Sequence, residues 1–488
     1  MELFKVEILG KDFLAVAVEA ILLAFALGVL LLGVILKGEG RRYTGYVALF
    51  AYVLAFLPLF GSLGRPYEAF SGMVSVDLFS LFFKVLFLVI GFLVVLLSLD
   101  YTAREGIAFG EYYALLLIAS AGMMLMASSA NLVALFLGLE IMSIAIYALA
   151  GIMRDDARSV EAAFKYFLLG AFASGFLLYG MALTYATTGT LHLRAIADKL
   201  ASNAAFRSMP LMIVGLGLLV VGFGFKLALV PFHMWTPDVY EGAPTSITAF
   251  MATGVKAAAF AGMLRVFFTA LPALEGHWRE LLWVLAVATM TLGNLVALRQ
   301  EDVKRMLAYS SIAHAGYMLV GFVAGGELGR AGILFYLFAY AFMNIGAFAV
   351  VALLGRKGAP NTLLDDYAGV GFKHPLLAVA MAVFLFSLAG VPPTAGFMAK
   401  FYVFSAAVKA GYYWLAVLGV LNSAVAAYYY LRVMVYMYFR EPKEGIETGY
   451  PSFAGALAII VALWGVFQLG IGPSGFLALA EQSIRSML

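Results

Sequence analysis

Apolar residues come in runs of about 18 to 25, each closed by charges, glycines or prolines, and these runs succeed one another along nearly the whole chain. Their limits fall near 13–36, 46–63, 78–98, 111–128, 130–151, 160–187, 210–235, 245–270, 281–298, 306–324, 331–354, 376–408, 413–438 and 452–480. A helix of about 20 residues is about 30 Å long, the thickness of a bilayer's hydrocarbon core, where backbone must bond within its own segment. The pattern predicts an all-α polytopic membrane protein with about fourteen transmembrane helices. The first run contains Glu19 and is too long for a signal-peptide core, so it reads as a retained helix.

Two runs are interrupted. In the seventh, Lys226-Leu-Ala-Leu-Val-Pro231-Phe-His233 sets a proline inside an apolar helix, where it removes a backbone donor and clashes with the carbonyl one turn earlier. In the twelfth, Gly390-Val-Pro392-Pro393-Thr-Ala-Gly396 does not suit regular helix. Irregular backbone survives at membrane depth only against protein or water, and two interrupted segments at matching places point to inverted-repeat transporters. Helices 7 and 12 are thus predicted to be broken, with helices 4–8 and 9–13 as two inverted five-helix repeats. The chain divides accordingly into 1–110 (helices 1–3), 111–271 (first repeat), 272–438 (second repeat) and 439–488 (a C-terminal helix 14).

Charge changes the picture at four positions. Glu140, Lys226, Lys256 and Lys400 lie deep within runs, where hydrocarbon penalises a charge by several kcal/mol, so each is a functional candidate. Lys226 precedes one break and Lys400 follows the other. At about 6 Å separation and an effective dielectric of about 20, Glu140 and Lys226 would attract by roughly 3 kcal/mol. Opening and closing such a pair releases and recaptures a proton. Lys256, among small residues in Met251-Ala-Thr-Gly-Val-Lys256-Ala-Ala-Ala, suits a connecting place. His314 and Tyr309, in Ala308-Tyr-Ser-Ser-Ile-Ala-His314-Ala-Gly-Tyr317, bring exchangeable protons, as do Ser310, Ser311 and Tyr317.

Other polar positions have plainer readings. Lys165 either snorkels to the interface or joins the relay, and His233 either satisfies backbone exposed by Pro231 or joins it. Lys84 either snorkels or has a structural role, the latter favoured, Glu19 reads as packing, Arg265 and Arg432 as interface anchors near helix ends, and Met123, Met124 and Met126 as packing.

Composition then excludes whole classes. At 64% hydrophobic, 12% charged and a mean hydropathy of +0.98, the chain lies outside the range of soluble domains. It has no cysteine, which rules out thiolate-held iron–sulfur clusters, disulfides and cysteine nucleophiles on this polypeptide. The histidines at 192, 233, 277, 314 and 374 have no zinc or haem spacing. No loop is long enough for a soluble nucleotide-binding domain, so energy must come from a gradient or from partner subunits. A net charge of +3 makes no case for nucleic acid. Outside the runs, ten Lys and Arg share the face of the termini and fourteen lie opposite, which places both termini outside, in the periplasm of a bacterial source.

Five segments together resemble the antiporter-like membrane subunits of respiratory complex I (NADH-quinone oxidoreductase). They are Leu137-Gly-Leu-Glu140-Ile-Met-Ser, Phe164-Lys-Tyr-Phe-Leu-Leu-Gly-Ala-Phe-Ala-Ser-Gly175, Pro231-Phe-His-Met-Trp-Thr-Pro-Asp-Val-Tyr-Glu-Gly-Ala-Pro-Thr245, Lys304-Arg-Met-Leu-Ala-Tyr-Ser-Ser-Ile-Ala-His-Ala-Gly-Tyr317 and Gly390-Val-Pro-Pro-Thr-Ala-Gly-Phe-Met-Ala-Lys400. The likeness runs from about residue 75 to 440, and lysine at 400 with no long lateral helix afterwards narrows it to the shorter branch of that family.

The resemblance implies that Glu140 and Lys226 form a controlling pair, that Lys256 connects and that Lys400 delivers protons, with Lys165 at a further position of interest. It implies a non-redox, proton-translocating subunit of a multi-pass complex in a bacterial or archaeal-type plasma (inner) membrane. FMN, iron–sulfur clusters and quinone are expected on partner subunits and no cofactor or metal on this chain. The expected partners are the other membrane subunits of the complex, the other antiporter-like ones among them, and the lipid bilayer. The alternative is a subunit of a Mrp-type cation/proton antiporter or a membrane-bound hydrogenase. A self-standing solute transporter is a third class, disfavoured because no midplane cluster suits an organic substrate.

Overall fold

The apolar runs do become helical in the computed structural model, which describes residues 10–62, 64, 66–442 and 452–487. Among the described residues, thirteen helices are long and apolar enough to cross a membrane. The first part comprises α1 (Ala17–Ile35), α2 (Tyr43–Leu54) and α3 (Leu78–Glu105), with a hairpin of β1 (Tyr67–Ala69) and β2 (Val74–Val76) before α3. The strands are antiparallel, Tyr67 opposite Val76. Next come α4 (Gly110–Ala127), α5 (Leu132–Ala150), α6 (Ala157–Thr188), the short amphipathic α7 (Leu193–Ser202), α8 (Pro210–Leu227), α9 (Thr236–Gly242) and α10 (Thr245–Ala270). The following stretch holds α11 (Glu275–Ala297), α12 (Val303–Ala324), α13 (Gly326–Leu354), α14 (Pro375–Ala389), α15 (Ala395–Lys409) and α16 (Tyr413–Phe439). Two last helices, α17 (Phe453–Ile471) and α18 (Pro473–Met487), close the chain's path.

The apolar spans of α10 and α13 are buried and that of α12 nearly so, so these three form the centre and the others surround them. Without a hydrophobic force between helices in lipid, close packing depends on small residues. Gly122 of α4 and Gly138 of α5 show this: a Cβ on either would press on the other's carbonyl oxygen. Lys256 begins a regular stretch of α10 directly after a π-helical turn over Met251–Val255.

Four expectations need correction. The last run was expected as one helix over 452–480, but Gly472 and Pro473 end it, and α18 starts anew as an amphipathic helix packed on α3 and α13. Arg265 is not an interface anchor. It is 4% exposed, pairs with Asp77 at 2.7 Å and donates to the Ala127 carbonyl at 2.5 Å, tying α10 to the starts and ends of α3 and α4. Asp77 also caps α3 through the Ser80 amide. Arg432 likewise turns inward, donating to the carbonyls of Leu298 and Gln300 at the end of α11. Glu19 is more than packing: it forms a buried ion pair with Lys84 at 2.8 Å between α1 and α3. Lys5, Arg65 and Lys443, which entered the tally of charged faces, and the two terminal residues lie outside the described residues.

Asp77→Ala would leave the Arg265 guanidinium buried without its carboxylate, at a cost of about 3–5 kcal/mol. A clear drop in the thermal unfolding temperature of the purified protein in detergent is the expected result, and an unchanged transition would contradict it.

Candidate functional site

Both breaks have the same backbone shape. Helix α8 ends with Ala228 at φ 57° and α14 with Gly390 at φ 92°, each the left-handed residue that terminates a helix. The next amide folds back in the same way, Leu229 to the Gly224 carbonyl and Val391 to the Phe386 carbonyl. Pro231 follows the first cap and Pro393 the second, at equal spacing, and each is preceded by a cis peptide bond. Backbone groups freed by the first break find side chains: Trp235 donates to the Phe225 carbonyl at 3.0 Å, and the Val230 amide donates to Thr289 at 3.0 Å. At the second break Lys400 does this itself, donating to the carbonyls of Leu388 (3.0 Å) and Ala389 (2.9 Å) and to the Ser423 hydroxyl (2.7 Å).

The first site lies where α5, α6 and the end of α8 meet. Lys226 is 3% exposed, and its ammonium donates to Ser143 (2.7 Å) and to the Tyr147 hydroxyl (3.2 Å). It also lies over the rings of Tyr147, Tyr166 and Phe225, at 5.1, 5.3 and 5.8 Å from their centroids, within cation–π range. Glu140 shares the α5 face of Ser143 and Tyr147, but its carboxylate accepts from Ser174 of α6 at 2.5 Å. Among the described residues no ion pair within 4 Å joins Glu140 and Lys226: each member has another hydrogen-bond partner.

A second group runs through the centre. Lys256, 2% exposed, donates to both the carbonyl (2.5 Å) and the hydroxyl (2.7 Å) of Ser311. The next residue back, Ser310, bonds the Tyr430 hydroxyl, which lies 3.2 Å from His314 Nε2, while Tyr336 lies 2.7 Å from Nδ1. Both nitrogens of His314 thus face tyrosine hydroxyls. Further along, Asn294 donates to Tyr317 (2.8 Å) and accepts from Tyr429 (3.0 Å), with Asn422 beside it. The Tyr317 ring carries the Lys400 ammonium 4.8 Å from its centroid. Lys400 borders a groove of about 840 Å³ between α15 and α16, walled by Phe397, Phe401, Phe404 and Leu421.

Three sequence-predicted residues stand apart from this axis. Lys165 pairs with Asp238 (2.6 Å) and Glu161 (2.7 Å) near the face where α6 begins, and Arg305 joins Asp238 and Glu241 there. His233 lies in the turn of the first break, half-buried. Tyr309 makes no hydrogen bond to the axis among the described residues. Conversely, Ser143, Tyr147, Tyr166, Ser174, Asn294, Tyr336, Asn422, Ser423 and Tyr430 take part without having been singled out. The two asparagines could have been found, because an amide deep in an apolar run is as anomalous as a lysine.

Comparison with known proteins fits this geometry. The sequence profile of the NADH:quinone oxidoreductase/Mrp antiporter transmembrane family matches residues 129–426, and the chain belongs to that family. Within it the chain groups with the subunit N proteins. NADH-quinone oxidoreductase subunit N of Trichlorobacter lovleyi is 52% identical over 467 residues, covering 96% of each chain. A chain of respiratory complex I from Thermus thermophilus is 38% identical with a TM-score of 0.79, covering 95% of this chain and 99% of that one. A chain of the Mrp complex from a Dietzia species has a TM-score of 0.83 over 96% and 97% of the two chains, but at 21% identity it shares the fold alone.

Asp238, outside the membrane-crossing helices, is the one group here with a simple pH consequence. Burial pushes its carboxyl up, but the bonds from Lys165 and Arg305 outweigh this and hold it below the usual carboxylate range. Its contribution is present above the ordinary carboxylate pKa and lost only as pH falls through the lowered one. The stability gap between wild type and Asp238→Asn is therefore expected to stay constant from about pH 8 to about pH 5 and to shrink only below about pH 4, measured by thermal unfolding.

Proposed function

We propose that this chain is a proton-translocating membrane subunit of an NADH-quinone oxidoreductase, driven by redox chemistry in partner subunits. The observation that carries the reading is a set of three buried lysines, two of them beside matching helix breaks, with hydroxyl, imidazole and amide groups packed between the second and third. Glu140 acts as the control on Lys226, Lys256 connects and Lys400 delivers. Residues 111–271 and 272–438 serve as the two inverted repeats, a reading supported by the shared shape of their breaks. The chain itself carries no redox centre, and FMN, iron–sulfur clusters and quinone belong to partner subunits. The partners are the other membrane subunits of the complex. Glu140 lies next to the exposed apolar residues Leu137 and Ile141, which suits a signal arriving from a neighbouring subunit.

Lys226→Ala, Lys400→Met and Glu140→Gln are expected to lower proton pumping through this subunit by about tenfold or more in complexes that assemble normally. Tyr430→Phe, which keeps the ring and removes the link between Ser310 and His314, is expected to slow it by about tenfold. Acidification of proteoliposomes per NADH oxidised measures both, and wild-type stoichiometry in an assembled Lys226→Ala complex would refute the reading.

The orientation has a separate test made simple by the absence of cysteine. Both termini and the face of α7 are taken to lie outside. Ser202→Cys should react with a membrane-impermeant maleimide in intact cells, whereas Asp155→Cys should react only after permeabilisation.

A further inference from the structure

Helical serines and threonines in this chain ordinarily turn their hydroxyls back to a carbonyl four residues earlier, as Ser98, Ser128, Thr184 and Thr253 do. Ser174 does not. Its hydroxyl crosses to α5 and donates to Glu140 at 2.5 Å, although Ser174 is only 9% exposed and a backbone carbonyl is within its own helix's reach. Ser143, on the other side of the pair, keeps the ordinary habit: it donates to the Leu139 carbonyl at 2.5 Å. That commits its proton and leaves its oxygen free to accept from Lys226. The two serines thus have opposite polarity, one offering a proton to the carboxylate and the other a lone pair to the ammonium.

The rest of α6 is shaped to the same end. Tyr166, Gly170 and Ser174 follow one another at four-residue spacing and so share one face. Tyr166 stands edge-on to Tyr147 at 4.8 Å between centroids and stacks on Trp235 at 4.3 Å, the side chain that closes the break. Gly170 lies under the Tyr147 hydroxyl with no room for a Cβ, so only glycine lets that hydroxyl sit where Lys226 reaches it.

We infer that Ser174 is a positioning residue that holds Glu140 away from Lys226, with the Tyr166–Gly170 face of α6 holding the ammonium's alternative seat. This rests on the reading that the Glu140–Lys226 pair gates proton transfer, and adds what keeps the pair open. Closure requires Glu140 to leave Ser174 and Lys226 to leave Ser143, one helical turn away on the same face of α5. Closure exchanges these hydrogen bonds for an ion pair, so a signal that favours either set of partners shifts the pair between its two arrangements. Without the Ser174 hydroxyl, Glu140 loses its alternative partner and the pair stays closed.

The test uses the assembled complex in proteoliposomes and compares proton pumping in Ser174→Ala, Ser174→Thr, Glu140→Gln and the Ser174→Ala/Glu140→Gln double variant. Loss of one hydrogen bond to a charged group is expected to slow pumping by about tenfold or more in Ser174→Ala. Thr, which retains the hydroxyl, is expected to restore most of the rate. The double variant is expected to match Glu140→Gln alone, since Ser174 acts only through that carboxylate. Wild-type pumping in Ser174→Ala, failure of Thr to restore it, or multiplied defects in the double variant would overturn the inference while leaving the gating pair standing. Wild-type pumping in Glu140→Gln would instead overturn the gating reading, and the inference with it.

Discussion

Hydrocarbon offers no hydrogen-bond partner, so every polar group that a helix break or a buried charge creates at membrane depth must be met by the protein. In this chain the two problems are solved together. Lys400 needs acceptors and the end of α14 has unused carbonyls, and the ammonium donates to two of them. The first break is closed differently, by Trp235 on the Phe225 carbonyl, and Trp235 in turn stacks on Tyr166, which walls the seat of Lys226. A break that merely kinked a helix would not need a cation or a stacked indole at its end. Here the irregular backbone and the lysine explain one another.

The same constraint explains why aromatic hydroxyls and amides line the core. Tyr317, Tyr336, Tyr429 and Tyr430 are fully buried with their hydroxyls engaged by Asn294, His314, Asn294 and Ser310. Each supplies large apolar area to the packing and a single polar tip to the network, so these four hydroxyls form a polar axis with partners drawn from within the core. Asn294 is the junction: its amide donates to Tyr317 and Met290 while its carbonyl oxygen accepts from Tyr429. Because that amide donates to Tyr317, the Tyr317 oxygen is held as an acceptor on one side, and its ring face is left to the Lys400 ammonium.

Much of this was legible along the chain, for a physical reason. A run of apolar residues long enough to cross a bilayer has few other uses, so Glu140, Lys226, Lys256 and Lys400 stand out against it, and proline inside such a run marks a break. Serine and tyrosine give no comparable signal. With 26 tyrosines in the chain, nothing local distinguishes Tyr430, and Ser174 is one more small residue within Phe-Ala-Ser-Gly until α5 is placed against it. Arg265 was misread for a related reason. Its proximity to a helix end suggested the interface, whereas its partner Asp77 comes from a distant helix start brought beside it by the packing of α3, α4 and α10. Lys84 and Glu19 follow the same logic, each anomalous alone and satisfied as a pair.

The two break lysines are not equivalent, and the difference bears on how one chain can both receive a signal and pass on a proton. Lys226 sits in the last turn before its break and donates its hydrogen bonds to α5, leaving closure of its own break to Trp235. Its hydrogen bonds therefore lie on α5, and it can change partners without undoing the break. Lys400 sits after its break, and two of its three hydrogen bonds are to the carbonyls of the helix before it. Moving that ammonium opens the backbone of α14, so its state is tied to the hinge itself. An amine free to exchange partners suits the end where control is applied, and an amine bound into a hinge suits the end where proton release must accompany a change of shape.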